Sequence, residues 1–110
     1  MDCLFCKIIA GEIPSTKVYE DDKVFAFRDI NPQAPVHVLA LPKKHMANIL
    51  ECDGETAQAL AAAVQTIARQ EGVAEDGFRL VNNCGKNGAQ TVNHLHIHVL
   101  GGRQMGEKMA

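Results

Sequence analysis

Apolar and polar residues alternate along several short stretches of this chain, and one longer stretch repeats its apolar residues at helical spacing. Alternation with a period of two is typical of a β-strand with one buried face. It predicts five strands, at residues 16–19, 24–27, 36–41, 78–82 and 94–100. Apolar residues at intervals of three and four predict an amphipathic helix over about 53–71. A shorter helix near the N-terminus is predicted to end at Gly11.

These elements predict an α+β fold. The polar turn at residues 20–23 joins the first two strands as an antiparallel hairpin. We expect five mostly antiparallel strands to pack against one main helix and a short N-terminal helix. With 110 residues, 46% of them hydrophobic, the chain fits a single domain over residues 1–110 with one modest core.

Composition excludes several classes of function. The formal net charge of −2 disfavours a general nucleic-acid-binding surface. No apolar run approaches the ~20 residues of a membrane span, and the N-terminus lacks a signal-peptide hydrophobic region. We therefore expect a cytoplasmic protein without membrane or nucleic-acid partners, in which the four cysteines do not form disulfides.

The most informative stretch is residues 94–100, which carries three of the five histidines at every second position. On a strand, His94, His96 and His98 share one face while the apolar residues between them face a core. Imidazoles serve as metal ligands, general acids or bases, and nucleophiles. Spacing alone favours a metal site over a nucleophile, and buried structural histidines are the third interpretation.

Other candidate residues are weaker when taken singly. Cys3 and Cys6 form a Cys-x-x-Cys pair, which favours half of a zinc site over two buried cysteines. A redox pair is disfavoured because no strand precedes it. His37 shares its strand face with apolar residues, which is typical of a buried structural histidine, and His45 falls in a polar loop. Asp29, at a strand end, is equally suited to binding ligand hydroxyls and to a solvated turn.

The loop at residues 83–91 leads directly into the histidine stretch. Gly85 and Gly88 allow backbone N–H groups to approach an anion closely, and Lys86 adds positive charge. Other side chains that can donate hydrogen bonds are Asn83, Gln90 and Thr91. Beside His96, this composition suggests a phosphate-binding loop next to a nucleophile.

Taken together, these segments resemble the histidine triad (HIT) family, in its branch of Hint-type nucleotide-binding phosphoramidases. Residues 94–100 fit the family pattern His-φ-His-φ-His-φ-φ, where φ is apolar, at every position. The resemblance covers nearly the whole chain. It includes Phe5 with residues 7–9, residues 20–22, Phe27 with Asp29 and Ile30, residues 35–37, residues 42–45 and residues 101–103.

The resemblance implies a hydrolase that cleaves the P–N bond of purine nucleoside 5′-phosphoramidates, which are AMP or GMP conjugates of an amine. His96 matches the nucleophile that forms a nucleotidyl-histidine. His98 matches the group that donates to a phosphoryl oxygen, and His37 matches the residue that supports His98.

The resemblance also implies how substrate is held. Thr91 matches the hydroxyl that contacts the leaving group, and Asp29 matches the carboxylate that holds the ribose hydroxyls. Phosphate contacts are matched by Asn83 and by the backbone from Ala89 through Gln90 to Thr91. The residues that match the apolar slot for the base are Leu4, Phe5, Ile8, Phe27 and Ile30.

Some members of the family hold a structural zinc ion. The positions that match its ligands are Cys3, Cys6, His45 and His94, a Cys₂His₂ set that satisfies the four-coordinate preference of zinc. No organic cofactor is implied. Relatives form homodimers by pairing equivalent edges, and the same is expected here.

Three positions depart from the family pattern. Ala89 replaces a usual glycine, Asn93 replaces a bulky residue, and Cys84 has no clear counterpart. Two alternative functions remain open at this point. One is a nucleotide-binding regulatory protein with little turnover, and the other is a zinc hydrolase whose metal lies on the triad itself.

Overall fold

The computed structural model describes residues 2–110 of the chain, in two α-helices, one short 3-10 helix and five strands. The helices are α1 (Leu4–Ile9) and α2 (Gly54–Gln70), and the 3-10 helix is Ile49–Glu51. The strands are β1 (Lys17–Glu20), β2 (Val24–Arg28), β3 (Val36–Pro42), β4 (Arg79–Val81) and β5 (Ile97–Gly101). The strands form one sheet in the order β1-β2-β3-β5-β4, and every neighbouring pair is antiparallel. The predicted α+β fold is confirmed.

Helix α2 matches its predicted span because both of its ends carry local signals. The Asp53 side chain caps the N-terminus by accepting from the Thr56 N–H at 3.3 Å. Glu55 in the first turn and Arg69 in the last turn complement the helix dipole. The buried face of α2 consists of Leu60, Ala63, Val64, Ile67 and Ala68.

The sheet is covered on both faces. Val24, Ala26 and Val38 belong to the core that includes the buried residues of α2. Alternate residues of the same strands point to the opposite face, where Phe25, Phe27, Leu39 and Leu41 pack with Phe5 and Ile8 of α1. His37 lies on the same face as Leu39 and Leu41 of β3, and His98 of β5 pairs with Leu39.

Strand β5 begins later than the sequence predicts. The alternation of residues 94–100 predicted one strand, but the ladder with β3 starts at the pair Ala40 and Ile97. Before it, the Leu95 N–H donates to the Met46 carbonyl at 2.7 Å, and the Asn82 side chain donates to the His96 carbonyl at 2.9 Å. These irregular partners replace the ladder, so His98 alone of the three histidines lies within a strand.

Within residues 2–110, no helix has the length and apolar character that crossing a membrane requires.

Candidate active site and metal site

The ring of His96 is buried and its tautomer is set by the backbone. His96 is only 4% exposed, and its Nδ1 lies 2.7 Å from the carbonyl oxygen of His94. A carbonyl oxygen can only accept, so Nδ1 of the neutral ring carries the hydrogen. Nε2 therefore keeps a lone pair, which is the requirement for a nucleophilic imidazole.

A second chain of hydrogen bonds sets the other two rings. The Gln33 N–H donates to His37 Nδ1 at 3.0 Å, so His37 carries its hydrogen on Nε2. That N–H faces His98 Nδ1 at 2.8 Å. His98 therefore accepts on Nδ1 and carries its own hydrogen on Nε2. Burial, with smaller contributions from His96 and His37, lowers the pKa of His98 to about 4, so this ring is neutral at pH 7.

These tautomers place a ring that can act as a nucleophile, His96, beside a ring that can donate a hydrogen bond, His98. The centroids of the His96 and His98 rings lie 5.2 Å apart, and those of His37 and His98 lie 5.1 Å apart. A lone pair on His96 Nε2 can attack an electrophile while the His98 N–H stabilises negative charge that develops on it.

His94 has the opposite tautomer from His96. Its Nε2 lies 2.8 Å from the Pro42 carbonyl and donates to it, so Nδ1 carries the lone pair. That lone pair points at sulfur, because Nδ1 lies 3.4 Å from Cys3 Sγ and 3.6 Å from Cys6 Sγ. Burial also lowers the pKa of His94, which favours the neutral ring.

The four residues that match the zinc ligands form one cluster. Their ligand atoms all lie within 4.8 Å of one another. His45 Nδ1 lies 3.4 Å from Cys6 Sγ and 3.2 Å from His94 Nδ1. Tetrahedral zinc with ordinary Zn–S and Zn–N bonds separates its ligands by about 3.3–3.8 Å. The donor set and its spacing therefore fit a single four-coordinate metal ion.

Helix α1 connects the two groups of histidines. The side chain of Cys3 caps α1 by accepting from the Cys6 N–H at 3.4 Å. In the first turn of the helix, the Phe5 ring contacts His96 edge-on at a centroid distance of 5.0 Å and His94 at 6.0 Å. The two cysteines of the candidate metal site and the contact to the His96 ring therefore lie within four consecutive residues, 3–6.

The residues that match a base slot differ in exposure. Phe5, Ile8 and Phe27 are buried in the core on this face of the sheet. Ile30 is 89% exposed, and Leu4 is also exposed. The three buried side chains therefore expose little of their surface to solvent, whereas Leu4 and Ile30 are accessible to it.

The loop at residues 83–91 is held by its own side chains. The Asn83 amide donates to the Gly88 carbonyl at 2.8 Å. The Gln90 amide donates to the Ala47 carbonyl at 2.6 Å and to that of Val92 at 3.0 Å. Its oxygen accepts from the Gly85 N–H at 3.0 Å. The Gln90 side chain is therefore engaged in fixing the loop.

Ala89 adopts a conformation that usually requires glycine. The Gln90 N–H donates to the Gly85 carbonyl and the Ala89 N–H to the Lys86 carbonyl, both at 3.0 Å. This is the hydrogen-bond pattern of a Schellman turn, in which the residue at the Ala89 position is left-handed. The φ of Ala89 is accordingly +58°. At the neighbouring Gly88, a Cβ would lie 2.4 Å from the Cys84 carbonyl oxygen, so only glycine fits.

Asp29 lies next to the rings of the candidate active site. Its Oδ2 is 3.4 Å from His37 Nε2, and its Oδ1 accepts from the Asn31 N–H at 2.8 Å. Sequence reasoning missed this contact. It also missed the backbone groups of Gln33, Pro42 and His94 that set the tautomers, because main-chain donors and acceptors leave no signal in residue type.

Comparison with known proteins identifies the family. The model of the HIT domain matches residues 10–105. Escherichia coli (strain K12) has a protein named purine nucleoside phosphoramidase that is 47% identical over 112 residues, covering 99% of this chain and 94% of that protein. A 14 kDa zinc-binding protein of Zea mays is 52% identical over 107 residues, covering 93% of this chain and 83% of its own length.

A solved structure shows the same fold. A HIT family hydrolase from Clostridium thermocellum superposes with a TM-score of 0.93 at 51% identity, covering 99% of this chain and 97% of that one. Family model, relatives and structure all extend over nearly the whole chain. This chain belongs to the HIT domain family.

Proposed function

We propose that this protein hydrolyses the P–N bond of purine nucleoside 5′-phosphoramidates through a nucleotidyl intermediate on His96. One observation carries the proposal. The His94 carbonyl holds the hydrogen of His96 on Nδ1 and leaves the Nε2 lone pair available. The name and similarity of the E. coli relative support the same reaction and substrate class.

In the first step, His96 Nε2 attacks phosphorus and the P–N bond breaks. The bonding pair moves to the amine nitrogen, which takes one proton from solvent through the exposed Thr91 hydroxyl and leaves as a neutral amine. The new imidazolium keeps its Nδ1–H on the His94 carbonyl. The Nε2–H of His98 donates to a phosphoryl oxygen.

In the second step, water attacks phosphorus. The P–Nε2 bond breaks, its electron pair returns to His96, and the extra proton of the attacking water passes to solvent. The products are the nucleoside monophosphate and the original neutral imidazole. Because His96 and His98 end as they began, the site is ready for another turnover.

The remaining residues bind substrate. Asp29 accepts hydrogen bonds from the ribose hydroxyls, and the free N–H of the Asn83 amide donates to phosphate. Ala89 and Gln90 form the turn that presents Thr91 to the phosphate and the leaving group. The base contacts the apolar slot formed by Phe5, Ile8, Phe27 and Ile30.

We also propose that Cys3, Cys6, His45 and His94 hold a structural zinc ion, which supplies cross-linking and no chemistry of its own. The convergence of two thiols and two imidazole nitrogens supports this, as does the name of the Zea mays relative. Zinc would fix the start of α1 to the segment that carries His96. No organic cofactor enters the reaction.

A cytoplasmic homodimer is part of the same proposal. β4 lies at the edge of the sheet, where its backbone can pair with an equivalent strand. Beside it, Phe78, Leu80 and Ile49 are exposed and border one apolar groove. A second copy of the chain would cover this surface by a two-fold contact.

The test is amine release from adenosine 5′-phosphoramidate by the wild type and by His96→Ala, with the zinc content of both measured. The expected result is turnover by the wild type and a loss of at least ~10³-fold in the variant at unchanged zinc. If both proteins bind AMP and neither cleaves the phosphoramidate, the proposed enzymatic function is overturned and a regulatory nucleotide-binding protein is favoured. Activity that survives full zinc removal would exclude a zinc hydrolase.

A further inference from the structure

The loop at residues 29–35 contacts the His37 ring on both of its nitrogens. The Gln33 N–H donates to Nδ1 at 3.0 Å, and Asp29 Oδ2 lies 3.4 Å from Nε2. The His37 side chain is only 3% exposed, so this contact is shielded from water. The single hydrogen on His37 Nε2 thus faces two acceptors, the Asp29 carboxylate and His98 Nδ1 at 2.8 Å.

The carboxylate of Asp29 is itself fixed in place. Its Oδ1 accepts from the Asn31 N–H at 2.8 Å, and its own backbone N–H donates to the His37 carbonyl at 3.0 Å. Both carboxylate oxygens therefore face N–H groups. An amide offers only one acceptor, so an asparagine here would turn a donor toward either His37 or Asn31.

We propose that Asp29 is a positioning residue for the His37–His98 pair as well as a ligand for the substrate's ribose, so that ribose binding and the orientation of the His98 N–H are coupled. This inference rests on the proposed function and assigns the same carboxylate a second role. The Asp29 side chain is 21% exposed, so it faces the buried ring and still has access to a ligand.

The coupling follows from the sharing of one carboxylate. A carboxylate oxygen has two lone pairs, so Oδ2 can accept from a ribose hydroxyl while it still faces the His37 N–H. The hydroxyl fixes the carboxylate, the carboxylate fixes the His37 ring, and the His98 Nε2–H is held more firmly toward phosphate. Ribose hydroxyls should therefore contribute to kcat and not only to KM.

The charges around these rings support the same role. His98 is faced by His96, His37 and Asp29, and His37 by His98 and Asp29. Burial lowers the pKa of both rings, and the Asp29 carboxylate acts against this by favouring their protonated forms. Removing the carboxylate should therefore lower both pKa values further.

A cation bound by Asp29, His37 and His98 is the competing interpretation, because their ligand atoms lie within 4.8 Å of one another. It would need a lone pair on His37 Nε2. The Gln33 N–H already occupies the lone pair on Nδ1, so Nε2 carries the hydrogen. The tautomer therefore favours a hydrogen-bonded arrangement over a metal site.

The experiment compares Asp29→Asn with a charge-matched control, Asp22→Asn. Asp22 is exposed in the β1–β2 turn, at the end of β2 opposite to Asp29. Each protein is assayed with adenosine 5′-phosphoramidate and with its 2′,3′-dideoxy analogue. We expect Asp29→Asn to lower kcat at least about 10-fold with both substrates, to raise KM only with the ribose substrate, and Asp22→Asn to match the wild type. Equal kcat of wild type and Asp29→Asn on the dideoxy analogue would overturn the inference.

A second readout does not depend on turnover. The pKa of His37, followed by ¹⁵N NMR of the intact protein, should fall in Asp29→Asn and stay unchanged in Asp22→Asn. An unchanged pKa of His37 in Asp29→Asn would overturn the inference even if kcat falls. If the wild type binds AMP but does not cleave the phosphoramidate, the proposed function fails. The pKa of His37 in Asp29→Asn then decides alone whether Asp29 positions the His37 ring. If Asp29→Asn does not fold, Asp29→Ala, which lacks both acceptors, is expected to give the same changes.

Discussion

The protein uses histidine in two neighbouring clusters in opposite ways. At the proposed metal site, the Nδ1 atoms of His45 and His94 point at each other and at two sulfur atoms, so the acceptors converge. At the proposed catalytic site, two rings donate to an acceptor: His37 to His98 Nδ1, and His96 to the His94 carbonyl. Converging lone pairs favour a cation, whereas an ordered chain of donors leaves one lone pair for attack on phosphorus.

The difference is decided by two carbonyl groups. His94 donates from Nε2 to the Pro42 carbonyl, while His96, two residues later, donates from Nδ1 to the His94 carbonyl. Each ring is left with its lone pair on the other nitrogen. Residue type and spacing are the same at both positions, so the backbone around each ring assigns its role.

The largest effects should separate the two clusters. His94→Ala removes a metal ligand, so we expect the zinc content to fall below one equivalent and the free energy of unfolding to drop by about 3 kcal/mol or more. His96→Ala should keep its zinc and most of its stability while losing turnover. Metal analysis and urea unfolding of both variants check this. Loss of zinc from His96→Ala would contradict the separation of roles.

The next effect concerns the donor beside the nucleophile. His98→Ala removes the N–H that faces the phosphoryl oxygen, and we expect kcat to fall by about 10²-fold while zinc remains bound. Steady-state kinetics with adenosine 5′-phosphoramidate measure it. A change in KM alone would show that His98 only binds substrate.

A smaller effect is expected in the dependence of stability on pH. Burial holds the pKa of His98 at about 4, below the ordinary value near 6.5. Between these values the unfolded chain binds the proton more readily, so stability is full above about pH 6.5 and declines toward pH 4. For this half-buried ring we expect a decline of about 1–2 kcal/mol. Urea unfolding at pH 7 and pH 5 should give a smaller difference for His98→Gln than for the wild type.

The smallest effect is a gain in stability from the loop that precedes the histidines. Ala89 is left-handed, at φ +58°, so Ala89→Gly should stabilise the fold by about 0.5–1 kcal/mol, the relief of strain being partly offset by a more flexible unfolded chain. Gly88→Ala is the opposing control, because its Cβ would clash with the Cys84 carbonyl. Thermal unfolding of both variants checks the sign. Destabilisation by Ala89→Gly would contradict the left-handed conformation of Ala89 in this turn.

Much of the fold was predictable because it depends on pattern. The hairpin, the third strand and helix α2 with its Asp53 cap all lie close to where alternation and spacing predict them. The predicted start of β5 was wrong, because strand alternation continues through His94 and His96 although the Leu95 N–H donates to Met46 and the His96 carbonyl accepts from the Asn82 side chain. Alternation of residue type therefore does not show where the hydrogen bonds between two strands begin or end.

The sequence proposes which residues form the candidate site, but not how their rings are hydrogen-bonded. The resemblance brought His45 and His37 into view, and residue type alone assigned neither of them a functional role. Which ring nitrogen carries hydrogen depends on the carbonyls of Pro42 and His94 and on the Gln33 N–H. These groups exist at nearly every position, so only the three-dimensional arrangement identifies them.

The central claim is that His96 Nε2 becomes bonded to phosphorus, and the most direct measurement is to trap that bond. Wild-type protein is mixed with adenosine 5′-phosphoramidate, quenched within the first turnover and digested, and the peptide that contains residues 94–100 is analysed by mass spectrometry. We predict an added AMP group on His96, with none on this peptide in His96→Ala. Turnover without any modified histidine, together with inversion of configuration at phosphorus, would mean direct attack by water and would contradict the account.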